Sequence, residues 1–274
     1  MPELVLCFDF DGTLVDGGGR IHPRDVEILG SEIPVTLVPA TGRPLHAVRH
    51  TFERHGLFAD RPIPFPLVLE NGAAVYEAGE RLRAQHPFVP DVQDALVKAM
   101  RAAPRVTFLL FSLNTVRMLW PSEAGWQMVR RFALSTQPFL WEEGTDAPLT
   151  KVVSIAETPE PLRAFAAETA DLALERAYSL PTVLEFTRVG VDKGRGLEAL
   201  LGERHAGAKL VVAGDGENDL PLFDLADLSF APGDSPDAIS TRADHVLDVQ
   251  KEGLLAPILR TVGAWPARSV RNGF

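Results

Sequence analysis

Cysteine is almost absent: Cys7 is the single one in 274 residues. No disulfide can form within the chain, and a reducing compartment, the cytoplasm, is the expectation. Positive charge is also scarce, with 27 Lys and Arg against 37 Asp and Glu and a formal net charge of −10. Nucleic-acid binders need a basic surface to displace counterions from phosphates, so that class is excluded. A small phosphorylated ligand is not, because a metal ion and a few cations can be focused locally on an acidic protein. No stretch approaches the roughly 20 apolar residues that span a bilayer. The opening MPELVLCFDFDG lacks the basic n-region of a signal peptide. The sequence shows no internal repeat, no low-complexity segment and no signal of oligomeric state. What is present is ordinary for a globular chain, 46% hydrophobic and 23% charged, long enough for one large domain or two modest ones.

Short continuous apolar runs stand at Leu4 to Phe8, Val35 to Val38, Leu67 to Leu69 and Leu210 to Ala213. Such runs suit strands buried on both faces of a parallel sheet. Helical patterns at Pro44 to Arg54, Lys193 to Leu201 and Leu220 to Leu225 follow or separate them. Strands alternating with helices predict an α/β fold with a doubly wound, mostly parallel Rossmann-like sheet. Each run ends on a polar residue: Asp9 and Asp11, Thr41, Asn71, and Asp215. If all four runs are parallel strands of one sheet, these side chains meet at the carboxyl rim where such sheets bind ligands.

Residues 86–187 have a different character. They hold three of the four tryptophans, Trp120, Trp126 and Trp141, and their own strand-like runs at 106–112, 115–120, 151–156 and 182–186. Helical segments near 121–134 and 159–170 lie among them. A βαβ unit takes about 30 residues, so this stretch is read as an α/β domain inserted into a core of residues 1–85 and 188–274.

Two acidic loops carry the chemistry. Phe8-Asp9-Phe10-Asp11-Gly12-Thr13-Leu14 places two carboxylates two residues apart at a strand end. An Asp-Gly turn is the plain reading; the chemical one has one carboxylate attack while the other shuttles a proton, with a cation or proton shared between them. Gly214-Asp215-Gly216-Glu217-Asn218-Asp219 forms the second loop. Asp219 can be read as an N-cap for the helix that follows, but that leaves Asp215 unexplained. Oxygen ligands from Asp9 and Asp215, with a backbone carbonyl near Asp11, suit an octahedral Mg2+. The spacing is not that of an EF-hand loop.

With Ala40-Thr41-Gly42-Arg43 and Asp192-Lys193-Gly194, these loops resemble the four ordered motifs of the haloacid dehalogenase superfamily. The resemblance implies a Mg2+-dependent phosphatase. Asp9 would attack phosphorus and become transiently phosphorylated, and Asp11 would act as general acid and then base. Thr41, Gly42, Lys193 and Asn218 would hold phosphoryl oxygens. Asp9, Asp11 and Asp215 would form the metal site, with Asp219 beside it. Only about 25 residues separate the first loop from Thr41, while some 150 separate Thr41 from Lys193. That spacing resembles subclass IIB (Cof-type), whose α/β cap lies between the second and third motifs.

The substrate expected is a small phosphomonoester, such as a sugar phosphate or related metabolite. Mannosyl-3-phosphoglycerate, sucrose phosphate and phosphoglycolate are alternatives. Glu70-Asn71-Gly72 resembles the mannosyl-3-phosphoglycerate and sucrose-phosphate phosphatase branch, whereas Thr41-Gly42-Arg43 departs from the mannosyl-3-phosphoglycerate pattern, so neither assigns a substrate. Arg43, Asn71, Glu185 and Arg188 are further candidates for substrate contact. Two other functions compete: a hexose phosphomutase of the same fold, and a non-enzymatic phospho-aspartate switch, which would need neither a cap nor a proton-shuttling Asp11. His46 and His50 read as a solvated helix face rather than a metal site. Gly17-Gly18-Gly19 lacks the Lys-Ser/Thr of a P-loop and reads as a flap.

Overall fold

The computed structural model describes residues 3–113, 115–138, 147–202 and 207–264; Trp141 lies outside them. Strands β1 (Leu4–Phe8) and β2 (Thr36–Pro39) open the chain, followed by β3 (Leu67–Leu69), β4 (Ala74–Glu77) and β5 (Arg81–Gln85). Six more follow: β6 (Thr107–Ser112), β7 (Thr115–Leu119), β8 (Thr136–Pro138), β9 (Lys151–Ile155), β10 (Leu174–Leu180) and β11 (Val183–Arg188). The chain then returns through β12 (Lys209–Ala213), β13 (Leu228–Pro232) and β14 (His245–Leu247). Helices α1 (Pro23–Leu29), α2 (Leu45–Arg54), α3 (Pro90–Ala102), α4 (Glu123–Arg131), α5 (Pro159–Glu168), α6 (Lys193–Leu201) and α7 (Leu220–Phe223) connect them.

Five strands form a parallel sheet in the order β14-β13-β12-β1-β2. Val5, Cys7 and Val212 pack on one face and Leu6, Phe8 and Val211 on the other. A strand covered on both sides has no use for alternation, which is why LVLCF is apolar throughout. An edge-to-face group of Phe10, Phe52, Phe58 and Phe65 fills the layer under α2.

One expectation is corrected. The run Leu67–Leu69 is not a strand of the parallel sheet; it pairs antiparallel with β4, which pairs with β5, in a separate three-stranded sheet. A single parallel bridge, Ala40 to Val68, and the bond from Thr41 N–H to the Val68 carbonyl (2.9 Å) dock it beside the end of β2. Asn71 still reaches the common rim through that bridge.

The six strands β10-β11-β9-β6-β7-β8 form a second sheet. Its Phe108, Leu110, Val152, Leu184 and Phe186 pack with α3 and α5 residues such as Leu96, Met100, Leu162 and Phe165. By strand alternation, Phe111, Lys151, Val153, Glu185 and Thr187 lie on the other face, and the apolar group there includes Ala47 of α2. The inserted layer therefore turns one face to its own helices and the other to the parallel-sheet domain. No helix among the described residues is long and apolar enough to cross a membrane.

Candidate active site

Asp9 sits just past β1, its N–H donating to the Ala213 carbonyl at 2.9 Å, which fixes the ends of β1 and β12 side by side. Asp215 follows β12 by two residues. Gly12, in the loop that follows Asp9, packs against Asp215: its φ is +89°, and a Cβ there would lie 2.2 Å from Asp215 Oδ2. Only glycine fits that position. Thr13 donates its hydroxyl to Asp215 Oδ1 at 2.7 Å.

Lys193 is the first residue of α6. Asp192 caps the helix by accepting from the Arg195 N–H at 2.8 Å. A cation at a helix N-terminus is disfavoured by about 0.3–1 kcal/mol. Two charge-assisted hydrogen bonds, each of about 1.5–3 kcal/mol, outweigh that: Lys193 Nζ donates to Asp9 Oδ1 (2.5 Å) and to Asp219 Oδ1 (2.7 Å). All three groups are buried.

Burial raises the Asp9 carboxyl well above the usual carboxylate range; the Lys193 ammonium opposes this, while Asp219, Asp215 and Asp11 add to it. Asp215 is also pushed up by burial and Asp219, against the Thr13 hydrogen bond and Lys193. Burial lowers Lys193, but Asp219 and Asp9 outweigh it and hold the ammonium above its ordinary value.

Asp9, Asp215 and Asp219 present carboxylate oxygens within 4.8 Å of one another. Against three acids stands one ammonium, so the cluster has room for a divalent cation, and its donors are the hard oxygens that suit Mg2+. Asp219 already serves other bonds. Its Oδ2 accepts the Asp215 and Gly216 N–H groups, each at 3.0 Å. It orders the loop and Lys193 rather than capping α7, where it makes no side-chain cap bond.

The Asp11 carboxylate meets Arg43 in a two-bond fork, with Nε to Oδ2 at 2.8 Å and the second bond from Nη2 to Oδ1. Arg43 Nη1 donates to Thr51 at 2.8 Å. Its guanidinium lies over the rings of Phe10 and of Phe132, 5.1 and 5.2 Å from their centroids. Arg43 is buried, and its donors face Asp11 and Thr51. Thr41 is buried at the end of β2, and its hydroxyl accepts from the Arg43 N–H at 3.2 Å.

Asn71 adopts a left-handed backbone, φ 57° and ψ 37°. Its Nδ2 donates to Glu185 Oε2 at 2.7 Å, and its Oδ1 receives Asn218 Nδ2 at 3.4 Å. Arg188 lies elsewhere. It is exposed at the end of β11, an odd number of residues from Glu185 and so on the opposite face of the strand.

Sequence reasoning missed Thr13, Thr150 and Lys151. Lys151 Nζ donates to the Gly42 carbonyl (2.9 Å) and pairs with Glu185 (2.6 Å). Burial raises Glu185, but the Lys151 charge and the hydrogen bonds from Lys151, Ser179 and Asn71 leave it below the ordinary range. Thr150 donates to buried Glu70 at 2.5 Å. The sequence signal for Lys151 was only its place at the head of an apolar run; the structure adds that it is buried, which only a paired lysine tolerates. His46 also departs from its expected solvated setting, since its Nε2 accepts the Ser135 N–H at 3.1 Å. The triple glycine is an ordered turn, with Asp16 accepting the Gly18 and Arg20 N–H groups at 2.8 and 2.9 Å.

Between β10 and β11 on one side and the start of α6 and the 217–221 loop on the other lies a cavity of about 180 Å³. Asn71, Glu185, Lys193 and Asn218 line it.

Residues 6–259 match the family of haloacid dehalogenase-like hydrolases, and the chain belongs to that family. Among curated relatives, a phosphoglycolate phosphatase of Haloarcula marismortui is 29% identical over 90% of this chain and 91% of its own. The pyridoxal phosphate phosphatase YbhA of Escherichia coli is 24% identical over 90% and 94%. The structure of TM0651 from Thermotoga maritima superposes with a TM-score of 0.78 at 26% identity, covering 94% of this chain and 97% of that one. The subclass IIB sugar phosphatase BT4131 shares the fold with a TM-score of 0.75 at 21% identity, covering 96% and 100%. The fold is thus the α/β-capped form of the family.

Proposed function

We propose that this enzyme, a phosphoric monoester hydrolase, acts on small phosphorylated metabolites through an aspartyl phosphate on Asp9, with Mg2+ as its metal. The observation that carries the reading is the buried bridge from Lys193 to Asp9 and Asp219 beside Asp215. A nucleophile held at a strand end with one cation and two further acids matches what phosphoryl transfer needs: positioning, and neutralisation of charge on the equatorial oxygens.

Asp9 and Asp215, with the backbone at Asp11, would hold the ion, and the ion would supply charge neutralisation on the phosphoryl oxygens. Lys193 steadies the Asp9 carboxylate and faces the same oxygens, with Thr41, Gly42 and Asn218 at the rim. Asp9 Oδ forms the bond to phosphorus as the bond to the ester oxygen breaks, and Asp11 delivers its proton to that oxygen. In the second half Asp11 takes a proton from water, which attacks phosphorus and frees Asp9 with release of inorganic phosphate. Arg43 holds the ionised Asp11 between the two transfers, and Asp11 leaves the fork to carry the proton, since both of its oxygens accept from the guanidinium there. Residues 86–187 act as the cap that closes over the substrate, and Lys151 and Glu185 meet the core at Gly42 and Asn71.

Phosphate release from p-nitrophenyl phosphate with Mg2+ tests this reading. Asp9→Asn should abolish it, and turnover that survives in that variant would overturn the nucleophile assignment.

A further inference from the structure

The charge on the cavity walls constrains the part of the substrate that leaves. In the β10–β11 pair, Glu175 lies opposite Thr187 and Ala177 opposite Glu185, so these four side chains share one face of the sheet. That face lines the cavity, and from the core side Asp192 and Glu217 complete it. Four carboxylates therefore surround the space beyond Asn71 and Asn218.

Each lining cation among the described residues is already engaged. Lys193 is held by Asp9 and Asp219. Arg176 stands one residue out of phase with Glu175, opposite Phe186, on the helix-packed face. Its Nη1 and Nη2 donate to the Leu174 and Leu172 carbonyls at 2.8 and 3.2 Å, and its guanidinium lies over the Phe186 ring. Lys151, behind Glu185, is bound to that carboxylate and to the Gly42 carbonyl. Glu175 accepts the Gly190 N–H at 2.8 Å and Asp192 caps α6, and among the described residues neither pairs with a cation. Glu217 is exposed at the cavity mouth.

Resting on the phosphatase reading, we propose that this cavity selects phosphomonoesters whose leaving group is uncharged or cationic and rich in hydrogen-bond donors. Esters of hydroxy-carboxylic acids are rejected there. Glu185 is compensated by Lys151, but a carboxylate in the cavity would still face Glu175, Asp192 and Glu217 with no free counter-ion, and juxtaposed like charges repel. Hydroxyl or ammonium groups would instead donate to Glu175, Glu185 and Glu217. Discrimination of this kind comes from the repulsive element as much as from the attractive one.

Matched esters test it. Glycerol 3-phosphate is compared with 3-phosphoglycerate, and phosphoethanolamine with phosphoglycolate, each pair alike in length and differing at the charged end. In each pair, kcat/KM for the carboxylate ester should be lower by about tenfold or more. The gap should narrow as ionic strength rises, because screening acts on the repulsion. In Glu175→Gln and Glu217→Gln it should shrink by about threefold or more, chiefly through KM for the carboxylate ester. Equal or better turnover of the carboxylate esters, with p-nitrophenyl phosphate hydrolysed, would overturn this inference alone. Failure to hydrolyse any ester, p-nitrophenyl phosphate included, would overturn the phosphatase reading and this inference with it.

Discussion

Lys193 reaches Asp9 across 184 residues of sequence, with Nζ 2.5 Å from Oδ1 and no exposed surface. The ammonium sits between two carboxylates, and removing it would leave both buried without a counter-charge. Lys193→Met is expected to lower kcat about 100- to 1,000-fold, the scale of losing a preorganised electrostatic contact to a developing charge. It should also destabilise the fold by about 3–5 kcal/mol, as breaking a buried ion pair does. Steady-state kinetics and urea unfolding read the two effects separately.

Much of this site was legible in the sequence, because a parallel sheet delivers its strand ends to one rim. The apolar runs ending at Asp9, Thr41 and Asp215 became β1, β2 and β12, and Asp192 with Lys193 opens α6 as the helical pattern predicts. Pairings between distant residues were not legible. Nothing local tells Arg43 to fork onto Asp11, or Lys151 to seek Glu185 and Gly42. The run at Leu67–Leu69 was misplaced for a related reason: three apolar residues fit a parallel strand or a hairpin equally well until β4 and β5 are seen to pair with it.

The fork between Arg43 and Asp11 is a geometric demand that lysine cannot meet, since a single ammonium lacks the planar pair of donors. Arg43→Lys should keep the fold, monitored by circular dichroism, and lower kcat about 10- to 100-fold with little change in KM. The range reflects a misplaced proton-transfer group. A selective rise in KM would mean that Arg43 binds substrate instead.

Gly12 offers a test of the metal site apart from the nucleophile. Gly12→Ala would place a methyl group against the Asp215 carboxylate in a backbone conformation that alanine resists. The Mg2+ concentration for half-maximal activity should rise by about tenfold or more. Chelation by EDTA should silence the wild type reversibly. An unchanged Mg2+ requirement in Gly12→Ala would separate Asp215 from the metal.

Asp25 reports on stability far from the chemistry. It is buried in α1 and accepts the Leu254 and Leu255 N–H groups at 2.7 and 2.8 Å, tying α1 to the helix Leu255–Thr261. Burial pushes its carboxyl up to about 6, against those hydrogen bonds. The folded state thus binds more protons than the unfolded one between the ordinary value of 3.8 and about 6. The contribution is fully present below that window and is lost as pH rises through about 6. Relative to Asp25→Asn, which cannot titrate, the wild type should lose on the order of 3 kcal/mol of stability across the window. Chemical denaturation at a series of pH values measures it, and a constant difference between the two proteins would refute the assignment.

The central claim is a covalent phosphoryl group on Asp9. During turnover of a phosphomonoester with Mg2+, the reaction is quenched in acid and the acyl phosphate is reduced with borohydride, which converts a phosphorylated aspartate into homoserine. Peptide mass spectrometry then locates the change. The account predicts homoserine at position 9 and unaltered aspartate at positions 11 and 215. Homoserine at another position, or none while phosphate is being released, would contradict it.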